Sequence, residues 1–215
     1  MQRICAEYET YSFQELSSQA QERVREWYLD GQDSDVFEDM VETDMAYRFP
    51  NSTIYVEYSL GACQGDGLNL YGDITVSDIL KLIQENSAGN LFEDLKNNFS
   101  AKEIKTLKAY SQEGCIVKIP RNPSRYTYCY APWTKPCEDW DEYLSCWKNI
   151  NWKLINRFES VVKKVFTRLC NQWESAGYEF FYEINDEDLN EICESNGYRF
   201  LEDGSYFYVA KGKVI

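Results

Sequence analysis

The run from Thr53 to Thr75, TIYVEYSLGACQGDGLNLYGDIT, constrains the fold most strongly because it has the pattern of a β-hairpin. Two segments rich in β-forming residues, 53–63 and 68–75, flank the triplet Gly65-Asp66-Gly67. Glycine adopts positive φ angles at little steric cost, so this triplet favours a tight turn. The sequence therefore predicts two antiparallel strands that are joined at residues 65–67.

The alternation of side chains along the two segments predicts their register. A three-residue turn at 65–67 places Ser59 opposite Asp73 and Glu57 opposite Thr75. Successive side chains of a strand point to opposite faces, so a slip of one residue would mix polar and apolar faces. The face predicted to be core carries Val56, Tyr58, Leu60, Ala62, Leu68, Leu70 and Ile74. The polar face carries Glu57, Ser59, Gly61, Asn69, Tyr71 and Asp73.

Two carboxylates of the polar face, Glu57 and Asp73, are predicted to lie about 7 Å apart on a diagonal between the strands. Carboxylate oxygens bind Mg²⁺, and a metal-bound water would replace the histidine base that this chain lacks. Glu57, Asp73 and Asp66 are therefore candidate catalytic residues, and Glu57 and Asp73 are candidate metal ligands. The alternative is that Asp66 supports the turn, while Glu57 and Asp73 line a solvated face.

The composition describes a folded, acidic protein. Hydrophobic residues make up 44% of the 215 residues, and the formal net charge is −14. An acidic chain repels nucleic-acid backbones on average, whereas it suits a basic partner or mimicry of nucleic acid. The sequence contains no repeat and no low-complexity linker, which predicts a single α+β domain over residues 1–215. The predicted architecture is an antiparallel sheet with the QGDG hairpin at its centre, packed by several helices, one of them long and in the C-terminal half.

Cysteine usage and hydropathy indicate the compartment. The eight cysteines contain no CxxC pair, no apolar run approaches the length of a membrane span, and no secretory signal is recognisable. We therefore expect reduced cysteines, no membrane partner and a place in the cytoplasm. Motifs for nucleotide cofactors, such as a P-loop or GxGxxG, are missing from the sequence.

Two predicted helices carry opposite charge. A helix over about 33–49 has the apolar stripe Val36, Phe37, Met40, Val41, Met45 and Phe49. Its other positions present candidate partner-binding carboxylates, namely Asp35, Glu38, Asp39 and Glu42. A long helical stretch is predicted over 139–176, with a break near Asn149 or Asn151. It carries candidate nucleic-acid-binding residues, namely Lys153, Arg157, Lys163, Lys164 and Arg168.

Both charged faces have a second interpretation. The acidic helix face is ordinarily a solvated surface, and the basic face pairs equally well with the acidic helix inside the fold. Strands are also predicted at Arg125–Tyr130 and, after Gly177, at Tyr178–Glu183.

The hairpin run Tyr58-Ser59-Leu60-Gly61-Ala62-Cys63-Gln64-Gly65-Asp66-Gly67 resembles the YSL-x-x-CQGDG signature of small proteins from phages, plasmids and other mobile elements of Gram-positive bacteria. Their N-termini typically read F-x-E-L-S, and this chain has Phe13-Gln14-Glu15-Leu16-Ser17. Some of these proteins are anti-CRISPR inhibitors of type II-A Cas9, and one is associated with trimming of guide RNA. The likeness covers about the first 80 residues and implies a role in the cytosol of a bacterial host.

Three hypotheses follow. The protein inhibits a host type II-A Cas9 by binding the basic nucleic-acid channel or the guide RNA assembly, which needs no active site. Alternatively it is a Mg²⁺-dependent ribonuclease that trims guide RNA with Glu57 and Asp73. In a third interpretation it is an antitoxin-like regulatory protein that binds another basic partner. Whether the protein is an enzyme stays open at this point, and the expected cofactor is either none or Mg²⁺.

Overall fold

The computed structural model describes residues 7–62, 65–84, 89–95, 97–112, 116–119, 121 and 150–208. Its helices and strands are α1 (Ser18–Asp30), α2 (Ser34–Arg48), β1 (Thr53–Ser59), β2 (Gly67–Thr75), α3 (Val76–Gln84), α4 (Ala101–Gln112), β3 (Ile116–Ile119), α5 (Trp152–Tyr182) and α6 (Asp186–Asn196). Short 3-10 helices lie at Phe13–Glu15 and Gly89–Leu95. The predicted α+β class is confirmed, including the long helix in the C-terminal half.

The strands form an antiparallel sheet in the order β1-β2-β3, so β2 pairs with a neighbour on each side. The predicted hairpin between β1 and β2 is confirmed, but its predicted register is wrong. Glu57 lies opposite Asn69, and Asp73 lies opposite Thr53. The predicted pairs, Ser59 with Asp73 and Glu57 with Thr75, differ from the observed ones by a shift of six residues.

The register differs because the connection between β1 and β2 is longer than a tight turn. The last paired residues are Ser59 and Gly67, so residues 60–66 connect the strands, and the last glycine of the Gly-Asp-Gly triplet already belongs to β2. Leu60 follows β1 immediately and is buried, with 8% of its surface exposed. Its Cδ1 lies 2.3 Å from the position that a Cβ on Gly177 would take. Burial of Leu60 in tertiary contacts, rather than local turn chemistry, thus ends the strand.

The predicted division into core and polar faces survives the change of register. A shift by an even number of residues leaves every side chain on its face, because the side-chain period of a strand is two. Val56, Leu68, Leu70 and Ile74 are all buried, as predicted. Two residues are exceptions: Ala62 lies in the connection with a positive φ of 54° and is exposed, and Asn69 of the polar face is buried.

Helix α5 supplies the longest apolar face. Three of its aromatic side chains stand seven or eight residues apart, so they follow one face of the helix. Each contacts an aromatic ring from earlier in the chain, in the pairs Phe158–Phe99 (6.0 Å between ring centroids), Phe166–Phe49 (5.4 Å) and Trp173–Phe37 (6.0 Å). A Phe37–Tyr58 contact of 5.0 Å continues the row. This row packs α5 against α2 and the segments before α4 and after α2.

Helix α5 also continues further than the sequence predicts. It begins at Trp152, after Asn151, whose Oδ1 accepts the N–H of Leu154 at 3.1 Å, and runs to Tyr182. The strand predicted at 178–183 is therefore wrong. Gly177 does not end the helix. It provides room, because a Cβ there would lie 2.8 Å from Phe37 Cζ as well as close to Leu60.

The chain divides into two compact units, residues 1–34 with 178–215 and residues 35–177. The first unit has its own core, in which the Trp27 ring stacks on Tyr206 at a centroid distance of 4.7 Å. The buried members of this core are Phe13, Leu16, Ala20, Val24, Leu189, Cys193 and Phe200. The single-domain organisation predicted for residues 1–215 stays a prediction. The strand predicted at 125–130 and the helical stretch predicted over 139–149 lie outside the described residues.

A buried carboxylate ties the start of the hairpin to α3. Asp78 has 1% of its surface exposed. It accepts hydrogen bonds from the Asn51 N–H at 2.9 Å, the Asn51 side-chain amide at 2.8 Å and the Ser52 hydroxyl at 2.6 Å. The Ser52 oxygen in turn accepts the N–H of Thr75 at 3.0 Å. Buried polar groups of this kind are costly to leave unpaired, so the network fixes where β1 begins.

Replacing Asp78 should destabilise the protein. The substitution Asp78→Ala leaves the donors of Asn51 and Ser52 without their acceptor, and we expect the free energy of unfolding to fall by about 2–4 kcal/mol. Asp39→Ala is the matched control, because Asp39 is an exposed aspartate in the same unit. Urea denaturation followed by circular dichroism measures both. Equal stability of the two variants would contradict a structural role for Asp78.

Gly72 in the central strand should tolerate no side chain. Its φ is +138°, and an added Cβ would lie 2.0 Å from the Thr53 carbonyl oxygen. We expect Gly72→Ala to lower the free energy of unfolding by about 3 kcal/mol or more. Gly31→Ala is the control, since its Cβ would meet only ordinary contacts of 3.4 Å or longer. Thermal denaturation should show a large loss for the first variant and little change for the second.

Candidate partner-binding surface

Helix α2 has one buried face and two exposed ones. Phe37, Val41 and Met45 repeat every four residues and are buried. The acidic α2 face consists of Asp35, Glu38, Asp39 and Glu42, which are spaced by three and four residues and are all exposed. Side chains with this spacing share one side of a helix. The structure therefore brings together the four carboxylates that the sequence predicts as partner-binding residues.

Among the described residues, no cation neutralises the outer part of this face. Glu38, Asp39 and Glu42 have no ion pair in the described part of the chain. Arg48 is the only basic residue of α2, and its Nε donates to Asp44 at 2.7 and 2.8 Å. Asp44 also accepts the indole N–H of Trp173 at 3.0 Å. The helix thus uses its one guanidinium internally, and it leaves a row of carboxylates to solvent.

An exposed apolar stripe runs beside the acidic α2 face. Val36, Met40 and Tyr47 are 50%, 46% and 77% exposed. Val36 and Met40 were predicted to be buried, and that prediction is wrong. Each precedes a core residue, Phe37 or Val41, and so is rotated by about 100° from the core direction. The signal in the sequence was a second apolar row, 36-40-47, whose first two members each precede a member of the row 37-41-45.

The acidic α2 face borders the sheet. Glu42 and Tyr55 line the same groove of about 350 Å³ between α2 and β1. On the sheet, Tyr55 lies directly opposite Tyr71, and the two rings are 5.5 Å apart at an angle of 30°. The pKa of Tyr71 is raised, first by burial and then by the negative charge of Glu57, with a smaller contribution from Glu38. Carboxylates and tyrosines therefore form one neighbouring surface.

The structure does not bring the candidate catalytic carboxylates together. Glu57 and Asp73 share a face of the sheet, but they lie four residues apart along it, which corresponds to about 13 Å. Asp66 accepts a hydrogen bond from the Ser59 hydroxyl at 3.0 Å, in the connection between the strands. The predicted diagonal spacing of Glu57 and Asp73 is wrong, because it depended on the incorrect register.

Glu57 is instead held by a guanidinium that the sequence did not single out. Arg121 Nε donates to Glu57 Oε2 at 2.9 Å, and its Nη2 donates to Oε1. The same guanidinium lies over the Tyr71 ring, 5.9 Å from the centroid. A metal at Glu57 would have to displace Arg121. No cluster of at least three Asp, Glu, Cys or His side chains suited to a metal occurs within the described ranges. The catalytic and metal-binding roles remain predictions. The close spacing of Glu57 and Asp73 on which they were based is not observed.

The basic face of α5 is partly neutralised inside the fold. Arg157 pairs with Glu103 of α4. Arg168 holds Asp94 with two hydrogen bonds of 2.5 and 2.8 Å, and it donates to the Leu91 carbonyl at 2.7 Å. The intramolecular interpretation supposed that the basic face pairs with α2. The partners of Arg157 and Arg168 are not on α2. The lysines of the candidate nucleic-acid surface, Lys153, Lys163 and Lys164, are exposed.

Comparisons with known proteins do not assign the chain to a family. No family model matches it, and no curated protein or solved structure is significantly similar to it. A search of the described helices for one with the length and apolarity of a membrane span found none.

The ion pair of Glu103 has a measurable signature. The pKa of its carboxyl is lowered from 4.5 to about 2, first by the Ser100 N–H and then by Arg157 and the Ser100 hydroxyl. A depressed pKa stabilises the fold above the ordinary value, and this contribution is lost as the pH falls from about 4.5 towards 2. We expect Arg157→Gln to raise the pKa of Glu103, and Lys153→Gln on the same helix to leave it unchanged. Carbon-detected NMR titration measures both, and a pKa near 4.5 in the native protein would refute the pair.

Proposed function

We propose that the protein inhibits a host type II-A Cas9 nuclease by occupying its basic nucleic-acid channel. The observation that carries the proposal is the surface of α2, where Glu38, Asp39 and Glu42 make no ion pair with a described residue and lie beside an exposed apolar stripe. Such nucleases hold their nucleic acids in positively charged channels. A row of carboxylates on a rigid helix offers those channels a substitute for phosphates.

The two parts of the surface have different tasks. The carboxylates, in a chain with a net charge of −14, steer the protein towards a basic groove and increase the association rate. The stripe of Val36, Met40 and Tyr47 buries apolar area once the complex has formed and slows dissociation. Salt screens contacts between exposed charges, so the carboxylates alone would bind weakly at physiological ionic strength. The apolar stripe supplies contacts that salt does not screen.

The hairpin motif supports the choice of target, since the run Tyr58 to Gly67 resembles the signature found in anti-CRISPR proteins of mobile elements. The ribonuclease alternative has less support, because Glu57 is engaged by Arg121 and lies far from Asp73. The antitoxin-like alternative uses the same acidic surface on a different basic partner. Guide RNA integrity and Cas9 binding separate these three functions.

The decisive experiment compares inhibition by charge-reversed variants. We expect Glu38→Lys/Asp39→Lys/Glu42→Lys to raise the concentration needed to inhibit DNA cleavage by a type II-A Cas9–guide RNA complex by at least about tenfold. The reason is that the variant replaces attraction to the channel with repulsion. The matched control is Glu26→Lys/Glu93→Lys/Glu187→Lys, which has the same net charge and alters exposed glutamates elsewhere on the chain that make no ion pair with a described residue.

Each result has a defined meaning. Equal loss of inhibition in both charge-reversed variants would show that inhibition depends only on net charge. That result would contradict the assignment of the binding surface to α2. Shortening of the guide RNA with Mg²⁺ but not with EDTA would favour the ribonuclease instead. If the native protein neither binds Cas9 nor alters its guide RNA, the proposed target is wrong.

A further inference from the structure

A groove of about 990 Å³ lies within the first compact unit. One wall comes from Arg25 and Tyr28 of α1 and from Gln32, which lies just after the helix. The opposite wall comes from α6, and the end of α5 with the segment that follows it closes the groove. The proposed Cas9 surface on α2 belongs to the other unit, so this groove is a separate feature.

The floor of the groove is apolar. Tyr28, Ile184 and Ile192 are only half-buried, and Tyr182 is 48% exposed. Tyr28 and Ile184 also pack against the core of the unit at their inner sides. Large side chains that remain half-open in a concave site are available to bury more area against a partner.

The rim of the groove carries carboxylates without a cation. Glu179, Glu183 and Glu191 are exposed and make no ion pair with any other residue that the structure describes. The single guanidinium in the walls, that of Arg25, is already paired with Glu22 and Asp186. The rim is therefore negatively charged while its one cation is engaged.

The spacing of the rim matches a helix. The Glu183 N–H donates to the Glu179 carbonyl at 3.1 Å, so these two residues are one helical turn apart. Residues four apart in a helix are separated by about 6 Å along its axis, so the spacing of Glu179 and Glu183 matches that of lysines at positions i and i+4 on a partner helix. An apolar floor between charged rims is the arrangement that receives an amphipathic helix.

We propose that this groove binds a basic amphipathic helix of a partner protein. The apolar face of that helix would cover Tyr28, Tyr182 and Ile192, and its lysines or arginines would pair with Glu179, Glu183 and Glu191. Charge complementarity selects this occupant, because the same carboxylates repel nucleic acid and acidic peptides.

The test uses a defined probe, the fluorescein-labelled peptide LKKLLKLLKKLLKL, in fluorescence anisotropy titrations with the full chain. We expect Glu179→Gln/Glu183→Gln/Glu191→Gln to weaken peptide binding by at least about tenfold. The variant Glu26→Gln/Glu93→Gln/Glu187→Gln removes the same charge from exposed glutamates that line neither the groove nor α2, and it should bind the peptide as the native protein does. Peptides with Glu in place of Lys, or Ser in place of Leu, should not bind.

Three results would overturn the proposal. Equal weakening by the two neutralised variants would mean that the peptide responds only to general acidity. Absence of binding to the native protein would mean that the groove does not accept this chemistry. Self-association in sedimentation velocity that the groove variant abolishes would identify a second copy of the chain as the occupant. Because the groove variant leaves α2 unchanged, failure here leaves the proposed inhibition of Cas9 to be tested independently.

Discussion

The position of β2 between β1 and β3 is the constraint on which the rest of the described fold depends. Gly72 occupies this strand with a backbone conformation that other residues rarely adopt, and it lies against Thr53 with no room for a Cβ. The strand's apolar face is buried, so neither neighbour is free to slip by one residue without exposing it. The pairing sets Glu57 opposite Asn69 and places Arg121, just after β3, within reach of Glu57.

This pairing supports the proposed binding function rather than metal catalysis by Glu57 and Asp73. It keeps Glu57 in a two-point ion pair and sets Asp73 about four residues away along the same face. Meanwhile the burial of Phe37 and Val41 turns the acidic residues of α2 outward. A charged, rigid and partly apolar helix surface needs only a complementary partner, whereas metal catalysis needs carboxylates that converge.

Local signals in the sequence account for where helices begin and for the assignment of the sheet faces. Ser17 and Asn185 begin helices by accepting backbone N–H groups, as their side chains favour. The two-residue period assigned the sheet faces correctly even though the register was wrong. Non-local contacts determined the features that the sequence did not predict. Burial of Leu60 lengthened the connection, and packing beside Gly177 let α5 continue. The exposed stripe of α2 and the ion pair of Arg157 also depend on which neighbours the fold supplies.

Nuclear Overhauser effects across the hairpin test the central claim most directly. With selectively labelled methyl and aromatic groups, the register predicts contacts between the Tyr58 ring and the methyl groups of Leu68, its cross-strand partner. Contacts between Tyr58 and the methyl groups of Ile74 would contradict it. Such contacts would mean that the strands are joined by the tight Gly-Asp-Gly turn and that Glu57 and Asp73 lie close together.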